Sequence, residues 1–600
     1  MILCREEVED THCWAVDKMY PTFTDWEKEL KQTTLNGTDA RWNSLMQYQG
    51  KLGDGPETVK AFFDELFGVD RKLTNLYTYA HLRHDEDLAN DAHKSGYIRV
   101  TSILHDFAQA VSWVEPELLA LPEETINSYL QNDILNDYRF HLEKIVRIKK
   151  HTLPPLQEQL LAMSAKALQG TQRAFSAIND ADFKFGKVKD GEGKERELTH
   201  AAYGSYMRDY DRTLRENSFT QYHGKYKEYA NTLCELLNGT VQGHLFQARS
   251  RHYSSCLEAA LFPKNIDLSV YRSLITAVSD NLTPLHKYFS VRERILGIKP
   301  LHLYDMGVPL TKEFDMRISY DEAARLIVES VAPLGEDYQK ILKKGLTEQR
   351  WVDRYENSNK RSGAYSSGCY DSMPYILMNY KEMIRDLMTL AHEAGHSMHS
   401  QLSHMNQPYQ YANYPIFLAE VASTFNEELL IKLLLERANS AEEKIYLINQ
   451  KIEDIRGTLF RQTMFAEFEL FIHEMAEQDV PLTPKLLSDH YVALNKKYFG
   501  DTVAIDEPIA IEWARVPHFY YNFYVYQYAT GISAALALAD NVLKGGNEER
   551  DAYLGFLKSG CSRYPIETLK LAGVDMTTSA PVEAAIGKFS ALVDELDSLM

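Results

Sequence analysis

Two histidines one helical turn apart, His392 and His396, enclose a glutamate in the sequence His-Glu-Ala-Gly-His. Residues four apart lie on the same face of a helix, with their side-chain roots about 6 Å apart, so both imidazoles can reach one metal ion. Glu393 is rotated by about 100° from His392, which places it to reach a water beside the ion rather than the ion itself. This spacing is typical of zinc peptidases, in which such a glutamate activates the attacking water.

A catalytic zinc site needs a third protein ligand and keeps one coordination position open. The longer metzincin pattern would place glycine at 399 and histidine at 402, but the sequence has His399 and Leu402, which excludes that class. The better candidate is Glu420, in the helical segment that starts after Pro415. Glu427 returns to the same helical face and could orient a metal-bound histidine, or could be a solvated carboxylate.

A second class of metal protein shares part of this pattern. Di-iron helical bundles use two Glu-x-x-His pairs on paired core helices. Besides Glu393–His396, such pairs occur at Glu9–His12 and Glu197–His200, which lie in a terminal segment and beside an expected hairpin. They do not supply a second core helix, so the zinc interpretation is preferred. Of the nearby groups, Glu428 is expected at the surface and His399 as a packing or surface residue.

Helical periodicity dominates the rest of the chain. Apolar residues recur at three- and four-residue spacings in segments rich in Leu, Glu, Lys and Ala. These segments are Asp25–Thr33, Glu57–Phe67, Pro155–Leu168, Glu322–Ala332 and Ala441–Met475. The pattern predicts a mainly α protein, in which helices position the candidate metal ligands.

Three stretches depart from the helical pattern. Phe183–Leu198 alternates apolar and polar residues around a Gly-rich turn and predicts a β-hairpin. Leu301–Leu310 is strand-like, and Pro374–Tyr380 is a predicted strand that follows a flexible Ser/Gly/Asn-rich loop and leads into the His392 helix. The sequence therefore predicts a small β-sheet flanking the HExxH zinc site.

The hairpin marks the expected boundary between two regions. Residues 1–182 would form an N-terminal helical region and residues 183–600 the catalytic region. Within the catalytic region we expect the hairpin at 183–198, the active-site sheet and loop at 350–380, the zinc-site helices at 381–435 and the C-terminal helices at 440–600.

The composition limits the class of protein. The chain has 600 residues, 44% hydrophobic and 25% charged, so it can bury a large core. Its net charge of −20 argues against a protein that holds nucleic-acid phosphate. Six scattered cysteines, an acidic first segment and no long apolar run predict a cytoplasmic protein without disulfides, signal sequence or membrane span.

Three blocks of sequence together resemble oligoendopeptidase F, one of the thimet-oligopeptidase-like zinc peptidases. In chain order they are AHEAGHSMHS, YANYPIFLAEVASTFNEELL and RVPHFYYNFYVYQYATG. The resemblance extends over most of the chain, although the N-terminal stretch is only loosely similar. It implies a helical ellipsoid with a deep central channel, one zinc ion per chain, and access restricted to short peptides.

The resemblance implies a role for each residue of the metal site. The metal ligands would be His392, His396 and Glu420, and the base would be Glu393. Zinc would polarise the scissile carbonyl and acidify its bound water. Glu393 would take the proton from that water and pass it to the departing amine.

The aromatic block Arg515–Tyr528 would supply transition-state donors from one helix. By resemblance, histidine and tyrosine side chains donate to the oxyanion, and His518 with Tyr521 is the first choice. Tyr524 and Tyr528 continue the same face and are second choices. Most of the other aromatic residues in this block are expected to be core residues.

Three further features of the cleft follow from the resemblance or from composition. The loop Gly363–Gly368 would be a mobile cover. The strand Pro374–Tyr380 would be a sheet edge to which an extended peptide adds by backbone pairing. Cys369 could have a redox role or be an ordinary loop thiol.

The expected function is zinc-dependent hydrolysis of internal bonds in short oligopeptides. Two alternatives remain. The same zinc site could serve a peptidyl-dipeptidase or carboxypeptidase, which would need a basic group to bind the substrate carboxylate. The chain could also be a peptide-binding protein that does not cleave, although the intact Glu393 argues against this.

Overall fold

Helices make up most of the computed structural model, which describes residues 3–34, 42–311 and 317–600. The α-helices in chain order are α1 (Phe23–Thr34), α2 (Asn43–Met46), α3 (Pro56–Glu86), α4 (Asp91–Ala110), α5 (Val114–Ala120), α6 (Glu123–Gln131), α7 (Arg139–Arg147), α8 (Pro155–Leu168), α9 (Gly170–Ser176), α10 (His200–Tyr206), α11 (Arg212–Glu228), α12 (Ala230–Ser250), α13 (Cys256–Leu261), α14 (Leu268–Ser279), α15 (Thr283–Leu296), α16 (Tyr320–Ser330), α17 (Glu336–Thr347), α18 (Ile384–Asn406), α19 (Tyr409–Ala412), α20 (Ile416–Arg437), α21 (Ala441–Ile455), α22 (Arg461–Glu477), α23 (Pro484–Phe499), α24 (Tyr526–Lys544), α25 (Asn547–Lys558), α26 (Pro565–Leu571) and α27 (Ala580–Leu599). The predicted mainly α class is confirmed. Among the described residues, no helix is both long and apolar enough to cross a membrane.

The strands are short and form three small sheets. In chain order they are β1 (Lys187–Lys189), β2 (Glu195–Glu197), β3 (Leu301–His302), β4 (Val352–Asp353), β5 (Tyr365–Ser367), β6 (Tyr375–Leu377) and β7 (Val503–Ala504). β1 and β2 form the predicted antiparallel hairpin, and β3 pairs in parallel with β7. In the third sheet β6 lies in the middle, parallel to β4 and antiparallel to β5.

By its internal contacts the chain divides into two compact units, each built from separate stretches. The first unit comprises Met1–Lys150, Asp315–Leu433 and Leu538–Val574, and the second comprises His151–Phe314, Leu434–Ala537 and Asp575–Met600. This division does not coincide with the predicted consecutive regions 1–182 and 183–600, which stay a prediction from sequence pattern.

In the first unit, an apolar core forms around α3. Buried aromatic and aliphatic side chains from the N-terminal segment and from α1, α3 and α4 pack together, and Tyr375 and Leu377 of β6 join them. Side chains alternate across a strand, so this leaves Ile376 and its β5 partner Ser366 for the opposite face of the sheet. That face meets α18, because the hydroxyl oxygens of Ser366 and Ser397 lie 2.8 Å apart.

Helix α25 supports α18 and α20 within the same unit. The ring of Phe556 lies 5.1 Å from that of His399 on α18. Tyr553 stacks on Phe425 of α20 with ring centroids 3.7 Å apart. The helices of the candidate metal site are therefore held by a segment that lies about 150 residues further along the chain from α18.

In the second unit, α22 is a central element. The hydroxyl of Tyr271 on α14 donates to the main-chain oxygen of Ala466 on α22, at 2.8 Å. Glu512, in the 3-10 helix Glu507–Arg515, is buried and accepts hydrogen bonds from Arg461 of α22 and Tyr491 of α23. These buried polar contacts join α14, α22 and α23 at defined positions.

Two of the predicted strands differ from the structure. In Leu301–Leu310 only Leu301–His302 is extended, because a 3-10 helix follows at Leu303–Asp305, stabilised by a hydrogen bond from the His302 N–H to the Asp305 carboxylate at 3.0 Å. The predicted edge Pro374–Tyr380 is also wrong, since its strand β6 lies between β4 and β5.

Candidate metal centre

Helix α18 presents His392 and His396 on one face. Its start is fixed by Asp386, whose carboxylate accepts the N–H groups of Lys381 and Met383 at 2.8 and 3.0 Å. One turn of helix separates the two histidines, and their Nε2 atoms lie 3.2 Å apart. The structure therefore brings together the pair that the spacing predicts.

A close approach between α18 and α20 brings Glu420 to the histidines. A Cβ atom added at Gly395 would lie 2.7 Å from both the Ala422 oxygen and the Ser423 Cα, closer than such atoms pack. Only glycine allows the two backbones to come this near. As a result, the Glu420 Oε2 atom lies 3.4 Å from the Nε2 of His392 and 3.6 Å from that of His396.

These three donor atoms fit one metal ion. His392, His396 and Glu420 form the only group of potential ligands of this kind in the described part of the chain. Zinc bound tetrahedrally at about 2.0–2.1 Å from each donor requires donors about 3.3–3.4 Å apart, and the observed separations are 3.2, 3.4 and 3.6 Å. Two imidazoles and one carboxylate are a donor set of catalytic zinc sites.

A second carboxylate orients His392. Glu427 Oε1 lies 2.6 Å from the Nδ1 of His392 and can only accept, so Nδ1 carries a proton and Nε2 is the nitrogen that a metal ion would bind. Of the two interpretations left open for Glu427, the structure favours the orienting one. Burial opposes a charge on His392, but its hydrogen bonds to Glu420 and Glu427 outweigh this and raise its pKa to about 10.

Glu420 has its own partner on α20. The Ser423 hydroxyl donates to the Oε2 of Glu420 at 3.1 Å. Burial alone would raise the pKa of Glu420, but the hydrogen bonds to both histidines hold it well below its usual range. The two carboxylates therefore make this point of the protein favourable for a positive charge.

Glu393 lies beside the group without joining it. Its side chain is buried, which raises its pKa, and its carboxylate accepts the backbone N–H of Ser366 on β5. A carboxyl with a raised pKa is suited to accepting and returning a proton near neutral pH. The sheet thus fixes the position of the predicted base.

Two further polar residues of α18 and α20, His399 and Glu428, are buried. His399 is fully buried and stacks on Tyr414 with ring centroids 3.6 Å apart, as the sequence predicted for a packing residue. The prediction that Glu428 is at the surface is wrong, since only 2% of this residue is exposed. Apolar residues pack against several sides of α20, so Glu428 is buried although it does not lie on the side of the helix that faces the metal site.

The predicted donors lie in the second unit and form an aromatic cluster. The rings of His518, Tyr521, Tyr524 and Tyr528 have neighbouring centroids 5.5–6.2 Å apart. Of these residues Tyr521 is the most accessible, with 45% of its surface exposed. Burial lowers the pKa of His518.

The prediction that one helix carries these donors is wrong. His518 lies in the 3-10 helix Pro517–Tyr520, and α24 starts only at Tyr526. Between them the backbone passes through the left-handed region at Asn522 and Phe523, with φ of 32° and 56°. The helical path is interrupted there, so the cluster does not result from the spacing of one continuous helix.

The Gly-rich loop beside α18 is partly a strand. Gly363 and Gly368, with φ of 87° and 143°, flank β5, which pairs with β6. Cys369 is buried and its Sγ lies 3.3 Å from the Oδ1 of Asn75. Burial raises the pKa of this thiol, which disfavours the reactive thiolate and favours the interpretation as an ordinary thiol.

Sequence reasoning missed two residues of the metal site. Ser423 lies three residues after Glu420, a spacing that suggests contact on a helix and was available as a signal. Ser366 is 27 residues from Glu393 in the chain, and nothing in its local sequence indicates that its N–H meets this carboxylate.

A helical fold with two histidines and one glutamate grouped on neighbouring helices indicates a protein of the metallopeptidase class. The profile of peptidase family M3 matches residues 205–588, and that of oligopeptidase F matches residues 117–185. The chain therefore belongs to peptidase family M3, and it is a metallopeptidase.

Several relatives are similar over nearly the full length. Oligopeptidase PepF of Bacillus subtilis is 42% identical over 99% of this chain and 88% of its own length. Group B oligopeptidase PepB of Streptococcus agalactiae is 36% identical, over 99% and 98% of the two chains. Among solved structures, a protein of Chlamydophila abortus has a TM-score of 0.95 at 43% identity with both chains fully covered, and oligoendopeptidase F of Enterococcus faecium has 0.73 at 35%, covering 97% and 99%.

Proposed function

We propose that this metallopeptidase is a zinc-dependent endopeptidase that hydrolyses internal bonds of short oligopeptides. The observation that carries the proposal is the separation of three donor atoms by 3.2–3.6 Å on α18 and α20, which matches a tetrahedral site with one open position. The names of the relatives, oligopeptidase and oligoendopeptidase F, support the substrate class.

In this proposal His392, His396 and Glu420 hold one zinc ion per chain. A bound zinc ion would polarise the scissile carbonyl and acidify a water molecule. The three side chains remain 27%, 18% and 33% exposed, so a substrate can reach the open position. Glu427 keeps His392 in the tautomer whose Nε2 binds metal.

Glu393 acts as the general base and then as the general acid. Its carboxylate takes a proton from the attacking water and returns it to the nitrogen of the departing amine. The Ser366 N–H holds the carboxylate in place and stabilises its charged form, while burial favours the protonated form. These opposing effects on the pKa of Glu393 suit a group that must take up a proton in one half of the reaction and release it in the other.

His518 and Tyr521 donate to the oxyanion of the tetrahedral intermediate, with Tyr524 and Tyr528 as the alternatives. Support comes from the resemblance of this block to the family and from the clustering of the four rings. Losing one such donor typically costs about 3–4 kcal/mol of transition-state stabilisation.

The substrate strand pairs with β5 rather than with β6. The sheet has two outer strands, and the N-terminal segment bonds to the outer side of β4 through the pairs Ala15 N–H to Arg350 O, at 2.8 Å, and Arg354 N–H to His12 O, at 2.9 Å. β5 is the other outer strand, and the Ser366 N–H on it contacts Glu393. An extended peptide added to β5 therefore runs past the base.

Mass-spectrometric product mapping with a mixed peptide library, with and without a chelator, tests the proposal. We expect cleavage at internal bonds of short peptides, abolished by chelation and restored by zinc. Products that are always C-terminal dipeptides would support the peptidyl-dipeptidase alternative, and single C-terminal residues would support the carboxypeptidase. Cleavage that persists after complete metal removal would contradict the proposed mechanism.

A further inference from the structure

Two successive residues in the donor segment have a left-handed backbone conformation, which is sterically unfavourable for residues that carry a side chain. Asn522 and Phe523 have φ of 32° and 56°, and neither is glycine. Asparagine tolerates the left-handed region, but for a bulky residue such as phenylalanine it is a true outlier. Such a conformation persists only where the surrounding structure imposes it, and it occurs preferentially at functional sites.

A buried carboxyl group makes a hydrogen bond to this pair of residues. Glu469, on α22, has no exposed surface, and its Oε1 accepts the backbone N–H of Phe523 at 2.6 Å. Among the described residues, none forms an ion pair with Glu469, and its Oε2 has no hydrogen-bond partner. An unpaired carboxyl group in an apolar interior is unfavourable unless it makes a specific hydrogen bond. Within the described part of the chain, the one hydrogen-bond partner of the Glu469 carboxyl is the N–H of Phe523, which is itself a left-handed residue.

Burial favours the uncharged forms of the ionisable groups packed around this contact. Burial raises the pKa of Glu469 to about 8, although the Phe523 N–H opposes the shift. Burial also lowers the pKa of His473 to about 4 and that of His244 to about 3. The Phe523 ring lies 4.5 Å from His473 and 5.4 Å from Tyr271, so the turn rests on neutral side chains.

This contact governs where the donors lie. Tyr521 directly precedes the left-handed pair and Tyr524 directly follows it, and their ring centroids are 6.2 Å apart. If Asn522 and Phe523 relaxed to the ordinary helical or extended region, the direction of both tyrosines would change. The position of these rings therefore depends on the bond between Glu469 and Phe523.

We propose that Glu469 is a positioning residue whose carboxyl holds the Phe523 N–H, fixes the left-handed turn Asn522–Phe523 and so presents Tyr521 and Tyr524 for catalysis. The catalytic part of this inference rests on the donor role proposed above. Its conformational part depends only on contacts within the second unit.

Two substitutions separate the positioning role from simple packing. Glu469→Leu keeps the volume but removes the acceptor, which leaves the Phe523 N–H buried without a partner. Glu469→Gln keeps an oxygen acceptor and resembles the neutral carboxyl. Glu474→Leu is the matched control, because Glu474 is on the same helix but 42% of its side chain is exposed.

The first measurement is peptidase kinetics with metal content. For Glu469→Leu we expect kcat to fall at least about tenfold with KM changed less than about threefold, while Glu469→Gln and Glu474→Leu stay within about threefold of the parent. Metal content is expected to be unchanged in all variants. An unchanged kcat in Glu469→Leu, an equal loss in Glu469→Gln, or a loss of metal would overturn the inference.

The second measurement is hydrogen exchange of the amides of residues 521–525, which needs no turnover. We expect Glu469→Leu to exchange at least about tenfold faster in this segment, with Glu469→Gln and Glu474→Leu protected like the parent protein. Unchanged exchange in Glu469→Leu would overturn the inference whatever the kinetics show. If the donor role fails because Tyr521→Phe, Tyr524→Phe and Tyr528→Phe each leave kcat intact, the exchange result still decides whether Glu469 fixes the turn.

Discussion

Glu427 Oε1 lies 2.6 Å from His392 Nδ1, seven residues after the predicted metal ligand Glu420 on the same helix. The two carboxylates of α20 thus act on opposite nitrogens of one imidazole. One approaches the nitrogen that would bind metal, and the other fixes the tautomer that makes this nitrogen a ligand. A single helix therefore supplies both a candidate ligand and its orienting partner.

Replacing Glu427 with alanine should weaken metal binding without abolishing it. The His392 ring loses the acceptor that orients it, and losses of this kind typically reduce metal affinity about 10–100-fold. Competition with a calibrated chelator measures the change. Glu348→Ala, at an exposed carboxylate in the same unit, is the control. Equal affinities in the two variants would show that Glu427 has no role in the site.

Glu393→Gln should keep the metal and lose nearly all turnover. The amide can still accept the Ser366 N–H, so the local structure is preserved, but it cannot take the proton from the attacking water. We expect kcat to fall by at least about 10²–10⁴-fold. Metal analysis and steady-state kinetics on one blocked peptide are the measurements, and a variant that retains activity would exclude Glu393 as the base.

Glu420→Ala should lose the metal. With only His392 and His396 left, the site has two protein donors, too few for a stable catalytic zinc site. Elemental analysis after dialysis gives the metal content, and circular dichroism checks that the helices are retained. A zinc-replete and active alanine variant would place the third ligand elsewhere.

Gly395→Ala should both destabilise the protein and weaken metal binding. The added methyl group meets backbone atoms of Ala422 and Ser423 at 2.7 Å, so α18 and α20 must separate, at a cost of about 1–3 kcal/mol. Gly224→Ala on α11 is the control, because nothing lies within 4 Å of its added methyl group and alanine favours helix there. Denaturant unfolding and metal titration measure both effects. A Gly395→Ala variant as stable as Gly224→Ala would contradict the close approach.

Tyr521→Phe should reduce kcat far more than it changes KM. The hydroxyl belongs to a residue that is 45% exposed, so its removal is expected to leave the melting temperature nearly unchanged. Loss of one oxyanion donor predicts a fall in kcat of about 10²–10³-fold. If kcat is unaffected, the same substitution at Tyr524 and Tyr528 identifies the donor.

The sequence predicted that His392 and His396 lie together because helical spacing alone relates them. Glu420 required only a second helix to return beside the first, and the small residue Gly395 made such packing plausible. The wrong prediction of Pro374–Tyr380 as a sheet edge depends on a tertiary contact. Nothing in the local sequence indicates that Val352–Asp353, only two residues long, pairs with β6 and makes it an inner strand.

The prediction that one helix carries the donors of Arg515–Tyr528 was also wrong. The single helix was expected from the resemblance, and Arg515–Tyr528 has no glycine that would mark a left-handed turn. At the left-handed pair Asn522–Phe523 the Phe523 N–H donates to Glu469, which lies more than 50 residues earlier in the chain. Local helix propensity gives no information about a contact between residues so far apart in the chain.

The packing of α25 against α18 and α20 has a consequence for how the protein is made. A ribosome produces α18 well before Asn547–Lys558, so a nascent chain carries the histidine helix before its supporting helix exists. Tyr553 and Phe556 can cover Phe425 and His399 only after α25 has emerged. The first unit therefore cannot complete this packing before α25 has been made, and a chain that ends before Asn547 lacks the contacts that hold α18 and α20 from this side.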